Sequence, residues 1–216
     1  HPVRHHIGMV GYYPMMATQN DMIGMAMTNA NQAVRPALGA RPRVGTNPIA
    51  FGAPSGDERD FILDMATSTV ASGKIGLARR LGVQIPEGWA VTGEGEPVTD
   101  PPADRGDHWS QNPLGGSREQ GSHKGYGLGV MVDILCGVLS GGGVGTQLAG
   151  GENMSWTMAV DIARFDDAVA AASRELEVGA DARYRAELFV RFGRRVIEEM
   201  GGRGAGLEAC AKEIYD

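Results

Sequence analysis

The chain lacks both of the common glycine-rich motifs that hold a nucleotide phosphate. A lysine and three alternating glycines precede an apolar stretch in "GSHKGYGLGVMVDILCGVLSGGGVG", residues 121–145. Counted from Gly125, the dinucleotide motif G-x-G-x-x-G requires a glycine where Val130 stands, and counted from Gly127 it requires one where Val132 stands. No Gly-Lys pair is followed by serine or threonine, so the Walker motif is missing too. A nucleotide bound here would be held outside the Rossmann and P-loop folds.

Other features are scarce, and each absence narrows the class of protein. Only two cysteines occur, Cys136 and Cys210, which favours a reducing compartment over a disulfide-stapled secreted domain. No signal peptide is recognisable. The most apolar run, "LGVMVDILCGVLSG", contains Asp133 and is shorter than the roughly 20 residues that a membrane span needs. The formal net charge is −6 and no basic stripe occurs, so we expect a cytoplasmic protein with small-molecule partners, without nucleic acid or membrane.

The chain begins at "HPVRHHIG", without an initiator methionine, and we expect its N-terminus to be incomplete. Its 216 residues suffice for a proper hydrophobic core and show no internal repeat. We assign residues 1–216 to a single catalytic domain.

Apolar runs bounded by turn residues predict the strands. They lie at 22–30, in "IAFGAP", in "FILDMA" and at 156–165, and "GWAVTGEGEPVT" predicts a hairpin. Helical patterns occur between these runs, so the alternation predicts an α/β layered domain.

Four helices are predicted from composition and periodicity. The first covers "GYYPMMATQND", with Pro14 in its first turn, where a missing N–H costs little. The second covers 67–82, starting at hydroxyl residues that suit an N-cap and ending at Gly82. The third, from about 124 to 140, is apolar nearly all round and therefore predicted to be central. An amphipathic helix is predicted between Tyr184 and Met200.

His5 and His6 are candidates for acid–base chemistry, because histidine titrates near neutral pH and suits a base that takes a proton from an alcohol. The alternative is a solvated segment near the chain end. A metal site is not expected, since His108 and His123 have no partner at ligand spacing.

Lys124 is a candidate phosphate ligand, since a cation at a helix start adds to the free N–H groups and the positive dipole end. Gly125 and Gly127 would let the phosphate approach closely, or alternatively only permit tight helix packing. Asp64 lies at the end of a strand, where a carboxylate often binds ribose hydroxyls, but taken by itself it is better interpreted as an ordinary helix-capping aspartate. Asp133 is the one charge on an apolar helix, and we expect it to have a structural partner because an unpaired buried carboxylate is costly.

Taken together, the motifs resemble the malate/L-lactate dehydrogenase family, which is distinct from the Rossmann dehydrogenases and includes ureidoglycolate, sulfolactate and diketogulonate enzymes and cyclic imine reductases. The similarity covers about residues 3–165. The matching segments, in order, are "HHIGMVGYYPMMA", "MIGMAMTNA", "ARPRVGTNPIAFGAP", "FILDMATSTVASGKI", "IPEGWAV" with "PVTDP", and "HKGYGLGVMVDILCGVLSG". The resemblance implies a three-layer α/β fold, with a mixed sheet between helices, that binds NAD or NADP in a homodimer.

The resemblance also implies roles for individual residues. His6 corresponds to the histidine that accepts the proton in ureidoglycolate enzymes, and His5 stands where relatives usually have asparagine. The expected cofactor-binding residues are Ala30, which replaces a serine of some relatives, the D-M-A segment Asp64, Met65 and Ala66, and the phosphate-holding pair Lys124 and Gly125.

Three departures from the family limit this resemblance. Glu152 stands where ureidoglycolate enzymes have a substrate-binding arginine, which argues against that substrate. The N-terminal S-H-G-x-x-R motif, whose arginine binds the substrate carboxylate, is not present in the chain. The C-terminal segment that usually closes over the cofactor is also not recognisable in "GGRGAGLEACAKEIYD".

The sequence therefore predicts a central NAD(P)-binding catalytic domain of a 2-hydroxy acid dehydrogenase, with hydride transfer between a malate- or lactate-like substrate and the nicotinamide. Two alternatives remain open. One is a cyclic imine acid reductase, and the other is an incomplete, non-catalytic module for cofactor binding or dimerisation.

Overall fold

Strands and helices alternate along the part of the chain that the computed structural model describes, which is residues 6–56, 58–103, 108–148 and 153–163. The chain divides into two units, His1–Asp161 and Ile162–Asp216, and nearly all described residues lie in the first. The helices are α1 (Tyr12–Thr18), α2 (Ser72–Leu81) and α3 (Ser122–Val132), followed by a π-helical segment (Asp133–Val138) and a 3-10 turn (Gly145–Gln147). The strands are β1 (Met22–Thr28), β2 (Ile49–Ala53), β3 (Phe61–Met65), β4 (Ala90–Thr92), β5 (Trp109–Gln111) and β6 (Ser155–Asp161).

The main sheet has the strand order β3-β2-β1-β6, and each of these neighbouring pairs is antiparallel. Gly24 of β1 lies opposite Gly52 on β2 and Ala159 on β6. Alternate residues of β1 face opposite layers, since successive side chains of a strand point to opposite faces. Ala26 packs with Val10 on one side, and Met27 packs with the α3 side on the other. The predicted three-layer, non-Rossmann α/β arrangement is thus confirmed, with antiparallel pairing among the described strands.

Helix α1 lies very close to the sheet because two glycines leave room for it. A Cβ atom on Gly24 would lie 2.6 Å from the Cα of Pro14, and one on Gly52 would lie 2.9 Å from the Pro14 Cβ. Pro14 is the third residue of the helix, in the first turn as predicted. The loop before α1 is thereby fixed against β1 and β2.

Helix α3 packs on the other face of the sheet, but only along one side. Val132 and Cys136 are buried against Met27. By contrast, Val138 is 60% exposed and Leu139 is 70% exposed. The prediction that this helix is central is wrong for its outer side, because its small and apolar residues pack along one stripe only and the opposite side, although apolar, is exposed.

Helix α2 begins at Ser72, so its predicted start at residue 67 is also wrong. The hydroxyl group expected to cap the helix binds a loop instead, as Thr67 Oγ1 donates to the carbonyl of Thr46 at 3.1 Å. The N-cap is Ala71, which supplies no side-chain cap. The predicted end is confirmed, since Gly82 takes the left-handed φ of 65° that favours glycine after a helix.

The predicted hairpin is present around β4. Thr92 N–H donates to the carbonyl of Glu96 at 2.8 Å, and Val98 N–H donates to that of Ala90 at 3.0 Å. Strand β4 also pairs with β5 to form a separate two-stranded sheet. The amphipathic helix predicted between Tyr184 and Met200 lies outside the described residues. Within them, we find no helix of the length and apolarity that crossing a membrane demands.

The close approach of α1 to the sheet predicts a large cost for Gly24→Ala. The added methyl group has to displace the helix backbone, and overpacking of this kind typically destabilises by about 1–3 kcal/mol. Gly76→Ala is a suitable control, because a Cβ there meets nothing within 4 Å and alanine favours the helix by up to about 1 kcal/mol. Urea unfolding should show that the two substitutions change the free energy of unfolding in opposite directions or by clearly unequal amounts. Equal changes in the free energy of unfolding would contradict this account of α1 packing.

Candidate functional site

The first turn of α3 brings a cation to a helix N-terminus. The helix begins at Ser122, and the exposed side chain of Lys124 lies over Gly121, where a Cβ would be 3.3 Å from the lysine Cδ. Gly121 takes a left-handed φ of 89°, which favours glycine, and its lack of a Cβ leaves room for that side chain. The N–H groups of Ser122 and Lys124 already donate to the carbonyls of Ser117 and Gly121, at 3.0 and 2.9 Å. The lysine cation and the positive end of the helix dipole are therefore what favours an anion here.

The glycines that follow Lys124 have different roles. Gly125 is buried, and a Cβ there would collide with the backbone of Leu114, so tight helix packing requires this glycine. Gly127 is exposed and a Cβ there would meet nothing within 4 Å. Of the two, Gly127 leaves the helix surface open to a ligand, whereas a cofactor contact at Gly125 remains a prediction that would involve its backbone.

Ser122 adds a polar group that the sequence did not single out. Its side chain is fully buried, and its Oγ has no hydrogen-bond partner among the described residues. A buried hydroxyl without a partner is costly. Because Ser122 has no exposed surface, a ligand could accept this hydrogen bond only if the start of α3 moved.

The D-M-A segment lies at the end of β3. Asp64 is exposed, and its Oδ2 accepts the N–H of Gly11 at 2.8 Å, just before α1. This hydrogen bond supports the interpretation of Asp64 as a helix-capping carboxylate. Met65 and Ala66 lead to Thr67, whose N–H donates to the carbonyl of Thr46 at 3.0 Å.

Thr67 also joins the D-M-A segment to α3. Its carbonyl accepts the N–H of Leu114 at 2.9 Å, and Leu114 is the residue on which Gly125 packs. One turn further along α3, a Cβ on Gly129 would lie 3.2 Å from Thr67 Oγ1. Thr67, the residue after the D-M-A segment, therefore lies against α3 at Gly129 and is joined through Leu114 to the helix at Gly125. The cofactor-binding roles of Asp64, Met65 and Ala66 stay predictions.

Ala30 follows β1 and is held through its backbone. Its N–H donates to Oδ1 of Asn47 at 3.0 Å. Asn47 is fully buried, and its Nδ2 donates to the carbonyl of Gly129 on α3 at 2.8 Å. A single side chain thus connects the strand end to the helix.

His6 lies on the loop before α1, and its side chain is exposed. Its Nδ1 is 3.0 Å from the N–H of Gly8, which donates to it. An accepting Nδ1 assigns the proton of the neutral ring to Nε2. The loop is fixed by Ile7, which packs against Val10 and Ala26. His5 and Glu152 lie outside the described residues.

A cavity of about 490 Å³ opens beside Ala30, and sequence reasoning missed it. Its lining includes Asn31 at the strand end and Arg79 and Arg80 from α2. Arg79 donates to the carbonyls of Pro102 and Ala103 at 3.3 and 2.7 Å. The paired arginines in the last turn of a predicted helix were the available sequence signal.

Asp133 begins the π-helical segment and is only 5% exposed. Burial raises the pKa of its carboxyl, while hydrogen bonding from Asn47, Asn29 and the Gly145 backbone opposes that shift. Its Oδ1 has no hydrogen-bond partner among the described residues. The structural partners expected for Asp133 are therefore amide groups and not cations. They leave one carboxylate oxygen, Oδ1, without a hydrogen bond among the described residues.

Comparison with known proteins identifies relatives of the chain. The malate/L-lactate dehydrogenase family profile matches residues 3–184. A malate dehydrogenase of Pyrococcus abyssi is 50% identical over 138 residues, which are 63% of this chain and 38% of that enzyme. A delta(1)-pyrroline-2-carboxylate reductase of Agrobacterium fabrum is 40% identical over 124 residues, 57% of this chain and 34% of that protein.

Among solved structures, the malate dehydrogenase of Entamoeba histolytica superimposes with a TM-score of 0.70 at 30% identity. That match covers 82% of this chain and 54% of the other. The chain spans less than half the length of the two curated relatives above.

The burial of Asp133 predicts a pH-dependent contribution to stability. Because its folded-state pKa is raised above the ordinary 3.8, the stability it contributes is fully present below that value and is lost as the pH rises toward the raised pKa. Asp133→Asn removes the titration. Urea unfolding from about pH 4 upward should show wild type losing stability relative to the variant as the pH rises. A relative gain with rising pH would mean that the amide donors outweigh burial.

Proposed function

The chain belongs to the malate/L-lactate dehydrogenase family, and from this premise we propose that it forms the central part of a nicotinamide-dependent oxidoreductase for small 2-hydroxy acids or their 2-keto counterparts. The observation that carries the proposal is the arrangement around α3. Lys124 lies at the helix start, and Thr67, the residue after the D-M-A segment, lies against Gly129 of the same helix. An anionic cofactor would then bind along this surface, as NAD or as NADP.

The residues present fit the phosphates of such a cofactor. Lys124 supplies a cation and Gly127 leaves the backbone approachable. Ala30 is joined to the same helix through Asn47, and the D-M-A segment leads to Thr67, which lies against Gly129. When bound, the nicotinamide would accept or donate the hydride at C2 of the substrate.

His6 would move the hydroxyl proton. With Gly8 N–H donating to Nδ1, the neutral ring is protonated at Nε2 and cannot take a proton there. To act as a base through Nε2, His6 must give up that hydrogen bond and place its proton on Nδ1. The exposed position of the ring leaves this rearrangement open.

The cavity beside Ala30 supports an anionic substrate. It is lined by Arg79 and Arg80, and the described lining residues include no carboxylate. A 2-hydroxy acid carries the carboxylate that an arginine binds well through its planar fork. The cavity also adjoins Asn31, whose Oδ1 has no hydrogen-bond partner among the described residues and suits a hydroxyl donor.

A homodimer is part of the proposal, because the outer side of the helix after α3 is apolar. Ile134 is 47% exposed, Val138 60% and Leu139 70%, and a second copy would cover such a surface. We place the enzyme in the cytoplasm, where the buried Cys136 stays a thiol. Burial raises its pKa to about 11, so the unreactive protonated form dominates.

Reduction of a cyclic imine acid is the second candidate, favoured by the likeness to the Agrobacterium pyrroline-carboxylate reductase. A panel of 2-keto acids and cyclic imine acids, assayed with NADH and NADPH on the full-length gene product, separates the two. Turnover of keto acids supports the main proposal, and turnover of the imines alone favours the second. Absence of cofactor binding would leave a non-catalytic module.

Lys124→Ala should weaken cofactor binding. Hydrogen bonds to charged groups are worth about 1.5–3 kcal/mol, or roughly 10- to 150-fold in affinity. Fluorescence titration with NADH and NADPH measures the change. Arg59→Ala removes a cation from the turn before β3 and should leave the affinity unaltered. If wild type and the folded Lys124→Ala variant bound the cofactor with equal affinity, Lys124 would not be a phosphate ligand.

His6→Ala should lower turnover by roughly 10²- to 10⁴-fold while cofactor affinity stays nearly the same, because only proton transfer is lost. His5→Ala should have a much smaller effect. Steady-state kinetics of both variants provide the test. If His5→Ala were the damaging change, the proton-transfer role would belong to His5.

A further inference from the structure

We infer that Asn47 is a positioning residue that fixes Ala30 relative to α3, and so sets the distance between the two sides of the cofactor site. The inference rests on the proposed function where it concerns the cofactor. Asn47 touches neither Lys124 nor the D-M-A segment in the contacts described above. It acts through Ala30 on one side and Gly129 on the other.

The two ends of the Asn47 carboxamide have distinct partners that cannot be exchanged. Oδ1 accepts the N–H of Ala30 at 3.0 Å, and Nδ2 donates to the carbonyl of Gly129 at 2.8 Å. Both partners are backbone groups, and the amide is fully buried. A buried backbone group without a partner is costly, so loss of the amide allows the strand end and the helix to separate or admit water.

The carbonyl of Gly129 is shared. It also accepts the N–H of Asp133, where the α-helix gives way to the π-helical segment. Short π-helical insertions interrupt the regular hydrogen-bond pattern and are frequent at functional sites. Asn47 thus holds α3 at the point where its geometry changes, one turn after Gly125.

The backbone around Asn47 has little freedom to compensate. Asn47 itself has a positive φ of 34°, which asparagine and glycine tolerate better than other residues. A Cβ on Gly45 would collide with both the Asn47 Oδ1 and the carbonyl of Ala30. The turn is therefore closed tightly against the strand end, and the side-chain amide is the element that transmits its position to the helix.

Asn47→Gly tests this role without straining the backbone, because glycine accepts the positive φ. The substitution removes the side-chain hydrogen bonds to Ala30 and Gly129 and also the one to the Asp133 carboxyl. Asn112→Ala is the matched control. Asn112 is also buried, and its side chain both accepts a hydrogen bond, from Arg35, and donates one, to the carbonyl of Gly88. Neither of these partners is Ala30 or a residue of α3. Urea unfolding shows how much stability each variant loses.

Hydrogen–deuterium exchange of the full-length gene product gives a readout that needs no cofactor. Asn47→Gly should speed exchange in the peptides that contain Ala30 and the last turn of α3, from Gly129 to Asp133, while Asn112→Ala should not. Unchanged exchange in both of these segments would overturn the inference, whatever the protein binds. Faster exchange there with both variants would also overturn it, since a general loss of stability would then explain the effect.

Cofactor titration is the second readout. Asn47→Gly should weaken NADH or NADPH binding about tenfold, a difference of about 1.4 kcal/mol, and Asn112→Ala should change it less than twofold. If wild type binds the cofactor and Asn47→Gly binds it with the same affinity, the positioning role at the cofactor site is overturned. Failure of wild type itself to bind either cofactor overturns the proposed function, and exchange alone then decides whether Asn47 positions Ala30 against α3.

Discussion

The arrangement of the site depends on two buried asparagines that bind the backbone around the end of β1. Asn29 directly follows β1, and Asn47 lies in the turn before β2. Asn29 accepts the N–H of Met154 at 2.8 Å and donates to the carbonyl of Gly143 at 3.1 Å, while Asn47 joins Ala30 to α3. Both amides are fully buried, where hydrogen bonds are strong and an unpaired group is expensive. The strand end, the helix and the segment before β6 are consequently held by specific pairs rather than by apolar contact alone. Asp133 lies among these amides, and its burial raises the pKa of its carboxyl.

Glycines make this polar junction possible, since they let the backbones come close enough for one amide to reach two segments. Gly125 permits contact with Leu114, and Gly129 permits contact with Thr67. The same closeness brings Thr67, the residue after the D-M-A segment, against α3. Packing and the proposed ligand binding would therefore share residues in this helix. Of the α3 glycines, only Gly127, which faces open space, is free of a packing requirement.

The sequence predicted the elements whose signal is local. Strand β1 follows from a long apolar run, and the end of α2 from a glycine that takes a left-handed conformation. The start of α2 was not predictable in the same way. Thr67 has the chemistry of an N-cap, but a distant carbonyl, that of Thr46, competes for its hydroxyl group. Side-chain hydrogen bonds to distant backbone are decided by tertiary structure, which a single sequence does not reveal.

Some parts of the candidate site could also be predicted from local sequence, and others could not. The segments that carry Lys124 and residues 64–66 could be recognised from motifs, and the structure joins Thr67, which follows the second segment, to α3 through Leu114. The cofactor-binding roles of these residues stay predictions. Asn47 and the cavity beside Ala30 could not be recognised, because an asparagine in a turn usually serves the turn itself. Only its two partners, 17 residues before it and 82 residues after it, show that it connects distant segments.

The apolar surface proposed for dimerisation and the proposed phosphate site at Lys124 lie at opposite ends of the helical segment that begins with α3. A helix rises about 1.5 Å per residue, so Leu139 lies roughly 22 Å along the axis from Lys124. A second copy that buries Val138 and Leu139 would therefore leave the phosphate end of α3 in water. An exposed lysine attracts an anion with about 1 kcal/mol at 4 Å in water, compared with about 4 kcal/mol at an effective dielectric constant of 20. Strong binding at Lys124 thus requires a further surface near the helix start, whether from bound substrate, cofactor or protein.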